Sequence, residues 1–222
     1  QDCRLHGRCR MKTLLTYRPH ASVAILVILY VVGIVGLGSV NRDWFLAATP
    51  LTLVISAGLL LLNHGEWNRA AVLAVSVAAL VGFLVEVVGV KTGVIFGEYA
   101  YGATLGAKLW AVPLVIGLNW LLLTYTTGAL AARLRLPRIV QAALAAVAMT
   151  ALDLLIEPIA MALDFWQWSG GVVPLQNYIA WFVVSFALLL LFQYLRFDKR
   201  NPVAAPILAL QVLFFGILNL ML

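Results

Sequence analysis

The chain has 222 residues, 64% of them apolar and only 11% charged, with a mean hydropathy of +1.00. That balance excludes an ordinary water-soluble domain, in which about a quarter of residues are charged. The formal charge of +6 does not read as a nucleic-acid surface, because Lys and Arg sit in short segments between apolar runs, where they act as topology signals.

A basic leader occupies residues 1–19 and precedes a single transmembrane domain over 20–222. Residues 1–10, QDCRLHGRCR, stand before Met11 without an apolar period and read as an added segment or a mis-assigned start. Cys3 and Cys9 support no disulfide framework. Together with His6 they offer too few ligands for a metal site, and no metal is expected.

A hydrocarbon core of roughly 30 Å takes about 20 apolar residues per helix. Seven segments satisfy this, near residues 20–40, 45–63, 69–90, 111–132, 138–163, 177–196 and 203–221. The expected fold is therefore all-α, a polytopic membrane bundle of about seven transmembrane helices. The first segment is too long for a cleaved signal and is expected to stay as an anchor. Threading the spans in order puts Arg42, Lys91 and Lys108 on one side and the remaining Lys and Arg residues on the other. Basic loops stay inside, which predicts a cytoplasmic N-terminus, an outside C-terminus and a multi-pass protein of the cell membrane.

Two connectors stand out, both on the predicted outer side. The stretch from Lys91 to Trp110 interleaves Gly93, Gly97, Gly102 and Gly106 with aromatic residues, and the stretch from Asp164 to Asn177 carries Trp166, Trp168, a Gly pair and Pro174. Glycine permits tight turns and close approach, while Trp and Tyr suit the interface, so both loops are expected to dip back toward the bilayer.

A carboxylate at the bilayer centre costs about 2.5 to 3.5 kcal/mol on insertion scales, which makes an intramembrane acid a functional candidate. Glu86 falls near the outer end of the third span. Asp153 and Glu157 fall in the outer half of the fifth, four residues apart and so on one helix face, with Thr150 one turn earlier. Pro158 removes the hydrogen bond that the Leu154 carbonyl would receive and loosens the helix beside the acids. Any one acid alone is explained by an interhelical hydrogen bond. Three at one depth, beside two glycine- and aromatic-rich loops, point to a proton donor in a dry pocket, with Glu98, Asp164, Lys91 and Lys108 as a polar rim.

Other classes fit less well. The last span holds no lysine for a retinal Schiff base, the chain shows no internal repeat of the kind many transporters carry, and no Gly-rich phosphate loop is present. His6, His20 and His64 are too scattered for zinc chemistry. What remains is acid–base chemistry on an apolar molecule reached through the membrane. Protonating an isolated alkene makes a carbocation, which aromatic faces stabilise by about 0.5 to 2 kcal/mol each; Trp166, Trp168, Tyr99, Tyr101, Trp120 and Trp181 are available.

The run from Glu86 through Thr92-Gly93, Phe96-Gly97, Tyr99, Tyr101-Gly102, Leu105-Gly106, Lys108, Val112-Pro113-Leu114 and Asn119-Trp120 resembles the carotenoid biosynthesis membrane proteins that include the carotenoid 1',2'-hydratases. Asp153, Glu157-Pro158, Trp166-Gln167-Trp168, Pro174, Asn177-Tyr178 and Trp181 extend the resemblance. It implies hydration of the terminal double bond of an acyclic carotenoid end group to a tertiary alcohol, without a cofactor. Lycopene, γ-carotene or a bisanhydrobacterioruberin-like precursor is the implied substrate, and association with other carotenoid enzymes is compatible with it. Asp153 and Glu157 are the first catalytic candidates and Glu86 the next, while Glu98, Tyr99, Tyr101, Lys108, Trp120, Trp166, Trp168, Asn177 and Trp181 are the candidates for substrate binding. A membrane carotene cyclase, or a carotenoid-binding or proton-translocating protein without turnover, is the alternative.

Overall fold

The computed structural model describes the backbone of residues 3–222 and the side chains of residues 18–222. The side chains of Cys3, His6 and Cys9 lie outside the described residues. Among the described residues there are eight α-helices: α1 (Cys3–Leu37), α2 (Arg42–Ala47), α3 (Thr49–Leu62), α4 (Arg69–Thr92), α5 (Val115–Ala131), α6 (Arg138–Ala162), α7 (Leu175–Tyr194) and α8 (Ala204–Met221). Five of them are long and apolar enough to cross a membrane, namely α1 over Arg18–Leu37, α4, α6, α7 and α8. They mark the chain as a membrane protein.

The two remaining apolar helices are shorter, 14 residues for α3 and 17 for α5, which rise about 21 and 26 Å at 1.5 Å per residue. Each departs from its predicted span for a local reason. The segment expected at 45–63 divides into α2 and α3, with Pro50 in the first turn of α3, where proline's missing N–H is harmless and its ring bars continuation from the preceding turn. The segment expected at 111–132 begins only at Val115, because its first residues form a small hairpin. Strands β2 (Lys108–Leu109) and β3 (Val112–Pro113) pair there across Trp110 and Ala111, both at positive φ.

Helix α5 is the central element, and every residue from Trp120 to Ala129 is buried. Helix α4 packs along it, and α6 packs along α7. Polar termini are closed locally: the Asn68 side chain accepts from the Ala71 N–H at the start of α4, and Gly93, at φ 66°, ends it. Helix α6 runs through Pro158 without a break. The neighbouring Leu155 carbonyl receives the Asn219 amide of α8 at 2.7 Å.

The structure adds strands to what is otherwise a helical bundle. Tyr99–Tyr101 (β1) pairs antiparallel with Trp166–Trp168 (β4), with Tyr99 opposite Trp168 and Tyr101 opposite Trp166. The two loops expected to dip toward the bilayer independently thus form one ribbon. Ser169 and Gly102 extend it by donating their backbone N–H groups to the Glu98 and Phe165 carbonyls.

Candidate active site

Alternation along the β1–β4 ribbon turns Tyr99, Tyr101, Trp166 and Trp168 to one face and Ala100 and Gln167 to the other. The aromatic face lies over the C-terminal ends of α4 and α6, where the acids are. Glu86 accepts three hydrogen bonds: from Tyr99 Oη at 2.5 Å and Tyr101 Oη at 2.8 Å on one oxygen, and from Trp120 Nε1 at 3.0 Å on the other. Glu157 also accepts three, from Trp166 Nε1 at 2.9 Å and Trp168 Nε1 at 2.8 Å on Oε2, and from Asn177 Nδ2 at 3.0 Å on Oε1. Each such bond is worth about 1.5 to 3 kcal/mol when the acceptor is charged, which offsets much of the cost of removing a carboxylate from water.

Asp153 is placed differently. The same Asn177 amide reaches its Oδ2 at 2.9 Å, but Oδ1 is buried with no partner. Glu86, Asp153 and Glu157 are 4%, 1% and 2% exposed, so none of them faces lipid or water. Burial, and next the charge of Glu86, push the phenol of Tyr99 up, and burial and Glu86 do the same to Tyr101. Both tyrosines of the ribbon therefore keep their protons as donors.

Small residues let the aromatic groups close in. A side chain on Gly82, one turn before Glu86, would fall on the Trp120 ring, and one on Gly89 would meet Phe96 and the Tyr99 hydroxyl. Trp120 in turn stacks on Trp181 of α7, with ring centroids 4.4 Å apart and planes at 12°.

Three cavities meet around this cluster. The middle one is narrow and is lined by Glu86 and Glu157 with the four ribbon aromatics, Trp120, Trp181, Asn177, Phe96, Ile116 and Asn119. A larger apolar cavity adjoins it between α1, α3, α5 and α8, and Ile116, Asn119 and Trp166 line both. An open cleft containing Lys91 and Glu98 lies on the other side of the ribbon and shares Tyr99 and Trp168 with the middle chamber. The acids therefore sit between an apolar space and a polar one.

Residues 45–222, most of the chain, match the family model described as "Carotenoid biosynthesis protein". The chain belongs to the carotenoid biosynthesis protein family. It is 33% identical over 149 residues to a protein of Haloarcula japonica named bisanhydrobacterioruberin hydratase, a match covering 60% of this chain and 48% of that protein. The chain thus spans about half the length of the curated relative it matches. No solved structure matches it.

Within this family member, the predicted residues separate into three groups. Glu86, Glu157, Tyr99, Tyr101, Trp120, Trp166, Trp168, Asn177 and Trp181 line the central chamber. Asp153 stands behind Asn177 and does not line it. Glu98 and Lys108 are exposed and outside it: Glu98 borders the open cleft, and Lys108 Nζ donates to the Tyr101 carbonyl at 2.6 Å, holding the ribbon. Asp164 also braces the ribbon's approach, accepting from the Ala103 N–H at 3.2 Å. Phe96, Ile116 and Asn119 line the chamber without having been singled out as pocket residues. An asparagine inside an apolar run, one position before Trp120, was the available signal for the last of these.

Proposed function

We propose that the chain hydrates the terminal C1'–C2' double bond of an acyclic carotenoid end group, with the end group in the central chamber and the polyene in the apolar cavity. The observation that supports this reading is that two adjacent spaces share Ile116, Asn119 and Trp166 as lining, one apolar and the other edged by two carboxyl groups and a wall of aromatic rings. Lycopene, γ-carotene and a bisanhydrobacterioruberin-like carotenoid all present such an end. The substrate enters laterally between helices, since it does not travel through water. Seven crossings of the cell membrane, with α2 and α3 together making the second and α5 the fourth, put the N-terminus inside and the ribbon and the C-terminus outside.

The donor inventory supports a division of labour between the two glutamates. The partners of Glu157 are three N–H groups, which can only donate, so both its oxygens are held as acceptors and it serves as the carboxylate. Two partners of Glu86 are phenols, whose hydroxyls can rotate to accept, so Glu86 can carry a proton and give it up without leaving a partner stranded. Glu86 transfers that proton to C2', and the electron pair of the double bond forms the new C–H bond. The tertiary cation left at C1' is stabilised by the rings of Trp166, Trp168, Trp120 and Trp181 and by the Glu157 carboxylate. Water adds at C1', and Glu157 takes the proton it sheds. Tyr99, which touches both Glu86 and the open cleft, relays a proton from cleft water to Glu86, taking one on as it hands one over, and Glu157 returns its proton to water as the product leaves. Asp153 carries a proton on its unpartnered Oδ1 and acts through Asn177, as a positioning residue.

Membranes containing the protein, given lycopene or γ-carotene, should yield a product heavier by one water, and Glu157→Gln membranes should not. An isomeric product of unchanged mass would instead make the protein a cyclase. Unchanged pigment from the intact protein would leave carotenoid binding or proton movement as the activity.

A further inference from the structure

We infer that Asn119 is the residue that holds the attacking water, and that it thereby decides whether the cation is hydrated or merely loses a proton. The inference rests on the hydratase reading above. Helix α5 is buried at every position from Trp120 to Ala129, whereas Asn119 keeps accessible surface. It lines both the apolar cavity and the acid chamber, and its amide has no hydrogen-bond partner among the described residues. A primary amide offers two N–H donors and an acceptor oxygen, and at this half-buried position they are free to take a ligand or water.

The location matches what the chemistry requires. A carotenoid with its polyene in the apolar cavity and its end group in the acid chamber passes Ile116, Asn119 and Trp166, which line both, so Asn119 borders the reacting end. The other amide at the chamber, Asn177, is committed to Asp153 and Glu157. The Trp120 N–H next in sequence is committed to Glu86. Asn119 is left as the group whose acceptor oxygen can orient a water with its lone pair toward C1', while Glu157 across the chamber takes the proton released as the C–O bond forms. Without that water the same cation returns a proton from a neighbouring carbon or closes on a nearby double bond, and either product has unchanged mass.

The deciding experiment compares intact protein, Asn119→Leu and Asn119→Ser in membranes with lycopene in deuterated water, reading both hydrate yield and carbon-bound deuterium in the recovered alkene. Asn119→Leu should lose hydrate at least about tenfold while still introducing deuterium into the alkene, because protonation by Glu86 survives. Asn119→Ser, which keeps a hydroxyl able to hold water, should recover part of the hydrate. Hydration by Asn119→Leu at the intact rate would overturn the inference. So would parallel loss of hydrate and of deuterium in both variants, since that pattern belongs to a residue needed for protonation or folding. If the intact protein forms no hydrate, the hydratase reading itself fails, and the two failures are thereby distinguished.

Discussion

Two buried polar clusters occupy opposite ends of α4, and they are built on different principles. Near its start, Asn63 donates to the Ser22 hydroxyl and the Leu59 carbonyl, both at 2.8 Å, and Asn201 donates to the Leu60 carbonyl at 2.9 Å. Tyr125 and His64 share a hydrogen bond of 2.5 Å, and Gln193 donates to the Gly128 carbonyl at 2.8 Å. Near its end, Glu86, Asp153 and Glu157 are met by side-chain donors from the ribbon, α5 and α7. The first cluster spends most of its hydrogen bonds on backbone carbonyls and closes helix ends, as any buried helix terminus requires. The second spends them on ionisable side chains around a cavity. A polar cluster that ends on backbone holds the fold together; one that ends on carboxyl groups beside a cavity is equipped to move protons.

That contrast breaks most visibly at Glu157. Replacing it with Gln should cut turnover by 10²-fold or more, the scale of a lost acid–base group, and product mass with lycopene reads this directly. Asn177→Leu should come next. It strips the donor shared by Asp153 and Glu157 and should lower turnover by about one to two orders of magnitude, and a conservative Asn177→Gln that restores less than half of it would show that the bridge geometry matters. Tyr99→Phe removes one of three donors to Glu86 and the link to the open cleft. A loss of roughly tenfold in turnover per folded molecule is expected. Tyr125→Phe, in the other cluster, should do the reverse: about 1 to 3 kcal/mol of stability lost, measured by thermal unfolding in detergent, and turnover per folded molecule preserved.

The smallest effect concerns pH. Burial first, against the opposing influence of the Glu66 backbone and Asp198, pushes His64 below its ordinary value, so the folded state holds it neutral while the unfolded chain protonates near 6.5. The unfolded state then binds more protons, and the stability His64 contributes is present above that pH and lost as pH falls below it. The melting point should drop between pH 7.5 and 5.5, and His64→Gln should flatten that slope.

The bundle was legible because apolar runs near 20 residues have few alternatives, and the three acids stood out because lipid makes them costly. Glu86 and Glu157 could therefore be placed in one chamber before any coordinates. The ribbon was not legible: its strands are three residues long, Tyr-Ala-Tyr and Trp-Gln-Trp, and they pair across 60-odd positions of chain, a partnership no local period encodes. Lys108 and Glu98 looked like pocket residues by proximity in sequence, but strand alternation turns β1's aromatic side chains inward and leaves Glu98 at its edge on the surface, while Lys108 falls in the separate β2–β3 hairpin. Asp153 shares a helix face with Glu157 as its spacing implies, yet the Asn177 side chain comes between it and the chamber, which only the approach of α7 decides.

Proton delivery from carboxyl to alkene carbon is the step on which all of this turns. Turnover of lycopene in deuterated water, with the product analysed by mass and NMR, tests it most directly. One carbon-bound deuterium should appear at C2', beside the new tertiary alcohol, and both it and the alcohol should vanish in Glu86→Gln. A tertiary alcohol formed with no deuterium on carbon, or with equal yield from Glu86→Gln, would contradict it.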